Sequence, residues 1–148
     1  MVWKPSVTVA AIVEENGRFL MVEEEAENGV VFNQPAGHLE PNETLIHGMA
    51  RETLEETAYS VRAESLVGIY RWHAASTDTT YLRFAFKARV LGHDPGRALD
   101  AGILRALWMT PEEIRKFRPR HRSPLVMRSV EDYLAGRSYP LELIHHIS

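Results

Sequence analysis

Three glutamates, Glu52, Glu55 and Glu56, stand at i, i+3 and i+4. At about 100° per residue this spacing puts all three carboxylates on one face of a helix. Leu45, Ile46, Met49, Ala50 and Thr53 gather around a different direction and can face a core. Arg51 can pair with Glu55 at i+4, but one arginine does not compensate three carboxylates. A hard divalent cation does. Magnesium takes one or two protein carboxylates, waters and substrate phosphate oxygens, and such an ion polarises a phosphoryl group and activates water. The face therefore points to phosphoryl chemistry. Gly48 projects toward its middle. A glycine there costs the helix on the order of 1 kcal/mol and leaves room for a ligand, an ion or a neighbouring backbone. A bare Glu-x-x-Glu-Glu is most often a solvated, ion-paired surface, so the surrounding sequence has to decide.

The elements that must position this helix are legible in outline. Val7, Val9, Ala11 and Val13 alternate as in a half-buried strand, Asn16-Gly17 signals a hairpin turn, and 18–23 form the returning strand. Residues 24–29 read as a polar connection, 30–32 as a short strand and 33–41, with two prolines, as a loop. The helix runs from about Asn42 to Thr57. Strands follow over 61–72 and 81–91. In the second, Leu82, Phe84, Phe86, Ala88 and Val90 share one face, with Tyr81, Arg83, Lys87 and Arg89 on a polar one. Residues 92–102 are loop-like and 103–109 a strand. Thr110-Pro111-Glu112-Glu113 carries a cap, an N1 proline and a capping box. Ser123-Pro124 opens another helix that Gly136 stops. Strands and helices mixed in this order predict one layered α/β or α+β domain over 1–148.

Composition narrows the function classes. The chain has 148 residues with 45% hydrophobic and 25% charged side chains, and a net charge of −3. That balance gives no general attraction to nucleic acid or anionic membranes. With no cysteine, disulfides and thiolate metal sites are excluded. The seven histidines lack zinc-site spacing. No apolar stretch approaches the roughly 18 residues of a membrane span, and the N-terminus shows no signal peptide. A cytoplasmic location is the expectation. Arg115, Lys116, Arg118, Arg120 and Arg122 form a basic cluster without interleaved aromatics, which reads as solvated surface rather than a single-strand binding face.

The upstream spacing supplies the decision. Gly37 is followed after five residues by Glu43, and after seven more by Arg51-Glu52-Thr53-Leu54-Glu55-Glu56-Thr57-Ala58-Tyr59. This resembles the signature box of the Nudix hydrolases, with every charged position and the first glycine in place. Thr53 stands where an aliphatic residue is usual, and Ala58 where a second glycine is usual. The resemblance extends through Asn33-Gln34-Pro35-Ala36, 81–86, Arg122-Ser123-Pro124 and Tyr139-Pro140-Leu141-Glu142, segments similar to the NudJ-type phosphatases of that family.

The resemblance implies a mixed sheet between helices and hydrolysis of nucleoside di- and triphosphates and thiamine-type diphosphates, dependent on Mg²⁺ or Mn²⁺. It implies metal ligation by Glu52, Glu55, Glu56 and the Ala36 carbonyl, with Arg51 and Glu43 orienting the carboxylates. The general base is Glu52 or a distal residue, for which Asp100 is the candidate. Trp72 and Tyr81 are candidates to stack on a ring, Arg83 and Arg122 to hold phosphate, and Asn33 and Gln34 to contact substrate. The expected partner is a small phosphate compound, with no stable nucleic-acid partner and a monomer or homodimer. Two other readings stand beside this one: a catalytically silent nucleotide-binding module, and an RNA 5′-end pyrophosphohydrolase.

Overall fold

The computed structural model describes residues 2–27 and 29–148. In chain order its elements are β1 (Ser6–Ile12), β2 (Glu14–Glu15), β3 (Arg18–Ala26), β4 (Gly29–Asn33), β5 (Ala36–His38), α1 (Leu45–Thr57), β6 (Tyr59–Ala74), β7 (Thr79–His93), β8 (Ile103–Met109), α2 (Pro111–Lys116) and α3 (Leu125–Leu134). One sheet runs β5–β1–β7–β6, with β1 and β7 parallel and the other neighbours antiparallel. The second joins β2, β3 and β4, with β8 on the other edge of β3.

Strand alternation divides the interior in two. Val9, Ala11, Val13, Leu20 and Phe86 pack on one side with Met49 of α1. Ile12, Phe19, Met21 and Ala85 pack on the other with Ile114 of α2 and Val126, Met127 and Val130 of α3. The sheets therefore lie between helices, as expected. Among the described residues no helix is long and apolar enough to cross a membrane.

Three local readings need correction. Glu24 and Glu25 belong to β3, which closes on β4 through Ala26 opposite Gly29; Asn28, inside the expected connection, lies outside the described residues. The loop 33–41 contains β5, held against β1 with Ala36 opposite Ala10 and His38 opposite Thr8. Its short ladder was masked by the prolines on either side. The polar face of β7 is not uniformly open either: Arg89 is exposed and Lys87 half-buried, but Arg83 is buried beside Asn33 and Gln34. Alternation distinguishes two faces but not solvent from a second packed layer.

Helix α1 starts at Leu45, where the Thr44 hydroxyl accepts a bond from the His47 amide at 3.1 Å. Thr53 fits its buried slot by donating its hydroxyl to the Met49 carbonyl at 2.8 Å. The helix ends on Ala58 at φ 63 and ψ 12, its amide bonded to the Leu54 carbonyl. A left-handed alanine costs roughly 1–2 kcal/mol, so the usual glycine geometry is kept without the glycine. Ala58→Val should lower the unfolding free energy by about 2 kcal/mol or more, since a β-branched side chain fits that region worse. Ala58→Gly relieves the backbone but removes a buried methyl, worth about 0.8 kcal/mol, and should change stability by less than about 1 kcal/mol. Chemical denaturation of the two variants checks both values.

Candidate active site

Arg51 organises the acidic face. Its Nε donates to Glu43 Oε2 at 2.6 Å and its Nη2 to Glu43 Oε1 at 3.0 Å. Nη1 reaches Glu52 at 2.9 Å, Glu55 at 3.3 Å and Glu40 at 3.3 Å. Nη2 also bonds the His38 carbonyl at 3.2 Å. The guanidinium bonds push the Glu43 carboxyl down to about 2, and the same pair raises Arg51 further above the usual arginine range. Two glycines make this packing fit. A Cβ on Gly48 would meet Glu43 Oε1 at 2.7 Å, so the space opened by Gly48 holds the Glu43 carboxylate and not a ligand. A Cβ on Gly37 would collide with the Glu52 carboxylate.

The three glutamates do not remain one group. Glu52 and Glu55 gather with Asp100, ligand oxygens of all three lying within 4.8 Å of one another. The Asp100 amide donates to the Glu55 carbonyl at 3.0 Å, which ties the loop before β8 to the end of α1. Glu56 turns inward. Its Oε1 accepts from the Ala36 amide at 3.0 Å, and burial pushes its carboxyl up to about 9, helped by the charges of Glu24, Glu52 and Asp100. Burial also raises Glu52 against the pull of Arg51. A cation among these groups would reverse both shifts. The donors are all hard oxygens around one shared arginine, so the residues present fit a divalent metal.

Glu52, Glu56, Ala36 and Gly37 line a cavity of about 750 Å³ that also meets Asn33, Trp72, Tyr81, Arg83 and Arg122. Trp72 and Tyr81 face each other across β6 and β7 with ring centroids 5.7 Å apart and planes 18° off parallel. Among the described residues Arg83 has only amide oxygens as acceptors, Gln34 Oε1 at 3.3 Å and Asn33 Oδ1 at 3.4 Å, and its Nε has none. Burial lowers it to about 10. Gln34 does not line the cavity; its amide donates to the Val126 carbonyl at 2.7 Å. It links Arg83 to α3. Arg122 lines the cavity and pairs with Glu24 at 3.2 Å. Glu24 is also in the lining, on a stretch of β3 whose run of glutamates reads in sequence as a connection. Continued alternation after Met21 and Val22 was the available signal.

A NUDIX domain model matches residues 2–127. The chain belongs to the Nudix hydrolase family. It is 42% identical to the phosphatase NudJ of Shigella boydii over 142 residues, 96% of this chain and 92% of that one. The Escherichia coli K12 phosphatase NudJ is 41% identical with the same coverage. Among solved structures, a NUDIX hydrolase from Nitrosomonas europaea superposes with a TM-score of 0.95 at 50% identity, covering 97% of this chain and 98% of that one. A UDP-X diphosphatase, at 16% identity and a TM-score of 0.74 over 93% of this chain and 66% of that one, shares the fold. The protein is thus a Nudix hydrolase acting on phosphorus-containing anhydrides.

The geometry makes two expectations. Gly37→Ala should displace the flexible end of Glu52 while sparing the backbone. Turnover should fall at least about tenfold, the order expected when a reacting group is misplaced by an ångström, with thermal stability nearly unchanged; parallel activity and melting measurements separate the two effects. Glu43 is depressed in the folded state, so its stabilisation is present above about 4.5 and is lost as the pH falls through about 2. Glu43→Gln should therefore flatten that part of the acid limb in pH-dependent unfolding and lower stability at neutral pH.

Proposed function

We propose that residues 1–148 form one catalytic unit that uses magnesium, or manganese in its place, to hydrolyse the phosphoanhydride or terminal phosphate of small diphosphate compounds. Nucleoside di- and triphosphates and thiamine-type diphosphates are the substrates this reading assigns. The observation that carries it is the grouping of Glu52, Glu55 and Asp100 beside a cavity into which Glu52 and Glu56 open. The similarity to phosphatases NudJ over 96% of the chain supports the substrate class. The segment after residue 127 is tied to the rest by the bridge between Leu66 and Tyr139, which supports a single unit.

In this reading Glu52, Glu55 and Glu56, with the Ala36 carbonyl, hold the metal. Bound divalent cations supply charge neutralisation at the phosphoryl oxygens and make a water more acidic. Arg51 fixes the directions of Glu52 and Glu55 through the bonds described above. Asp100 accepts the proton of the attacking water as its oxygen bonds to phosphorus and the bond to the departing group breaks. Arg83 and Arg122, both in the cavity lining, hold phosphate oxygens. The exposed side of Tyr81 receives the ring. Stacking discriminates weakly between rings, which favours a broad substrate range.

The test is phosphate release from nucleoside di- and triphosphates, thiamine diphosphate and a nucleotide sugar, with and without chelation. Release from the first two classes, abolished by chelation and restored by magnesium, is the expected result. Glu56→Gln should lower turnover at least about 100-fold while the protein stays folded, because the amide cannot serve as an anionic ligand. Full activity in chelator, or cleavage of the nucleotide sugar alone, would contradict the reading.

A further inference from the structure

A second cavity, of about 570 Å³, adjoins the first: Trp72, Arg122 and Ser123 line both. It lies within the size range of small-molecule sites. Arg118, Arg122 and Arg128 bring three guanidinium groups to its wall. Glu131 is the one carboxylate in that lining, and it meets Arg118 only at 3.9 Å. The carboxylate partners of the other two, Glu24 for Arg122 and Asp132 for Arg128, are not part of the lining. Glu24 engages Arg122 through Nη1 and Asp132 engages Arg128 through Nε, so the wall keeps N–H donors in excess of the acceptors that line it. It gathers Arg118 and Arg122 out of a basic run that otherwise serves elsewhere: Arg120 bonds Glu23 and lies over the Phe32 ring.

The rings agree with the charges. Tyr81 stacks on Trp72 at 5.7 Å. Two carbon contacts of about 3.5 Å each need a gap of about 7 Å, so no substrate ring enters between them. Tyr81 lines only the first cavity, whereas Trp72 lines both. The second cavity thus meets the Trp72 surface that Tyr81 leaves uncovered.

We propose that this second cavity is a subsite for a ring-bearing group that carries its own phosphate, separate from the diphosphate being cleaved. The ring packs on Trp72, Arg118 and Arg128 hold the remote phosphate, and Arg122 contacts both halves. The placement of the two halves rests on the hydrolase reading above.

The test measures binding and turnover separately. In chelator, calorimetry compares adenosine 3′,5′-bisphosphate with adenosine 5′-monophosphate. Wild type should bind the bisphosphate at least tenfold more tightly, and R118A/R128A should lose that preference. R137A removes another partner of Asp132 but no residue of the cavity wall, and should retain it. With ADP and magnesium, kcat/KM of R118A/R128A should stay within twofold of wild type. No preference in wild type, its persistence in R118A/R128A, its loss in R137A, or an equal fall in ADP turnover would each overturn the subsite. Absence of ADP hydrolysis in wild type would instead remove the hydrolase reading, while the bisphosphate preference still decides whether the cavity binds.

Discussion

The Arg51 guanidinium is the interaction on which the site depends. It is the single cation shared by Glu40, Glu43, Glu52 and Glu55. Glu43 takes the two-pronged contact, so Arg51 is fixed before it reaches the other carboxylates. Removing one partner of such a shielded pair typically costs about 3–5 kcal/mol. Once fixed, Arg51 can direct Glu52 and Glu55 without neutralising them. The negative charge left over gathers on Glu52, Glu55 and Asp100, and in the proposed reading a further cation there, which would also draw the proton from Glu56, links the fold to phosphoryl chemistry.

The rest of the architecture serves this arrangement. β5 pairs with β1 and so brings Gly37 close against Glu52, where an added Cβ would push the Glu52 carboxylate out of its place. The left-handed end of α1 turns the chain directly into β6, and the Asp100 amide docks on the Glu55 carbonyl. On the far side of the cavity, α3 anchors Gln34, which holds Arg83. Positive charge is thus buried in the wall of the cavity that Glu52 and Glu56 also line. In the proposed reading, a phosphate entering it meets guanidinium groups as well as metal ligands.

The charged box was readable from sequence because its chemistry is local: spacing along one helix and one loop fixes which side chains share a face. The capped start of α2 was readable for the same reason. What escaped depends on contacts between distant segments. Gly48 looked like room for a ligand, and only the approach of Glu43 shows what fills it. Arg83 shares its face with exposed Arg89, and alternation cannot reveal that Asn33 and Gln34 close over it. Glu24 lies past the strand end that the sequence suggests, and Arg118 of the basic run meets a cavity only with α3 beside it. Asp100 lies beside Glu52 and Glu55, and the bond from its amide to the Glu55 carbonyl that brings it there has no sequence signal.

The central claim is that the carboxylates left uncompensated by Arg51 bind a divalent cation. Equilibrium Mn²⁺ titration, read by the electron paramagnetic resonance of free Mn²⁺, tests it without relying on turnover. The account predicts saturable binding of at least one ion per chain, weakened at least about tenfold in Glu52→Gln and unchanged in Glu112→Gln, whose carboxylate lies exposed in the first turn of α2. No saturable binding in wild type, or equal affinity in wild type and Glu52→Gln, would contradict it.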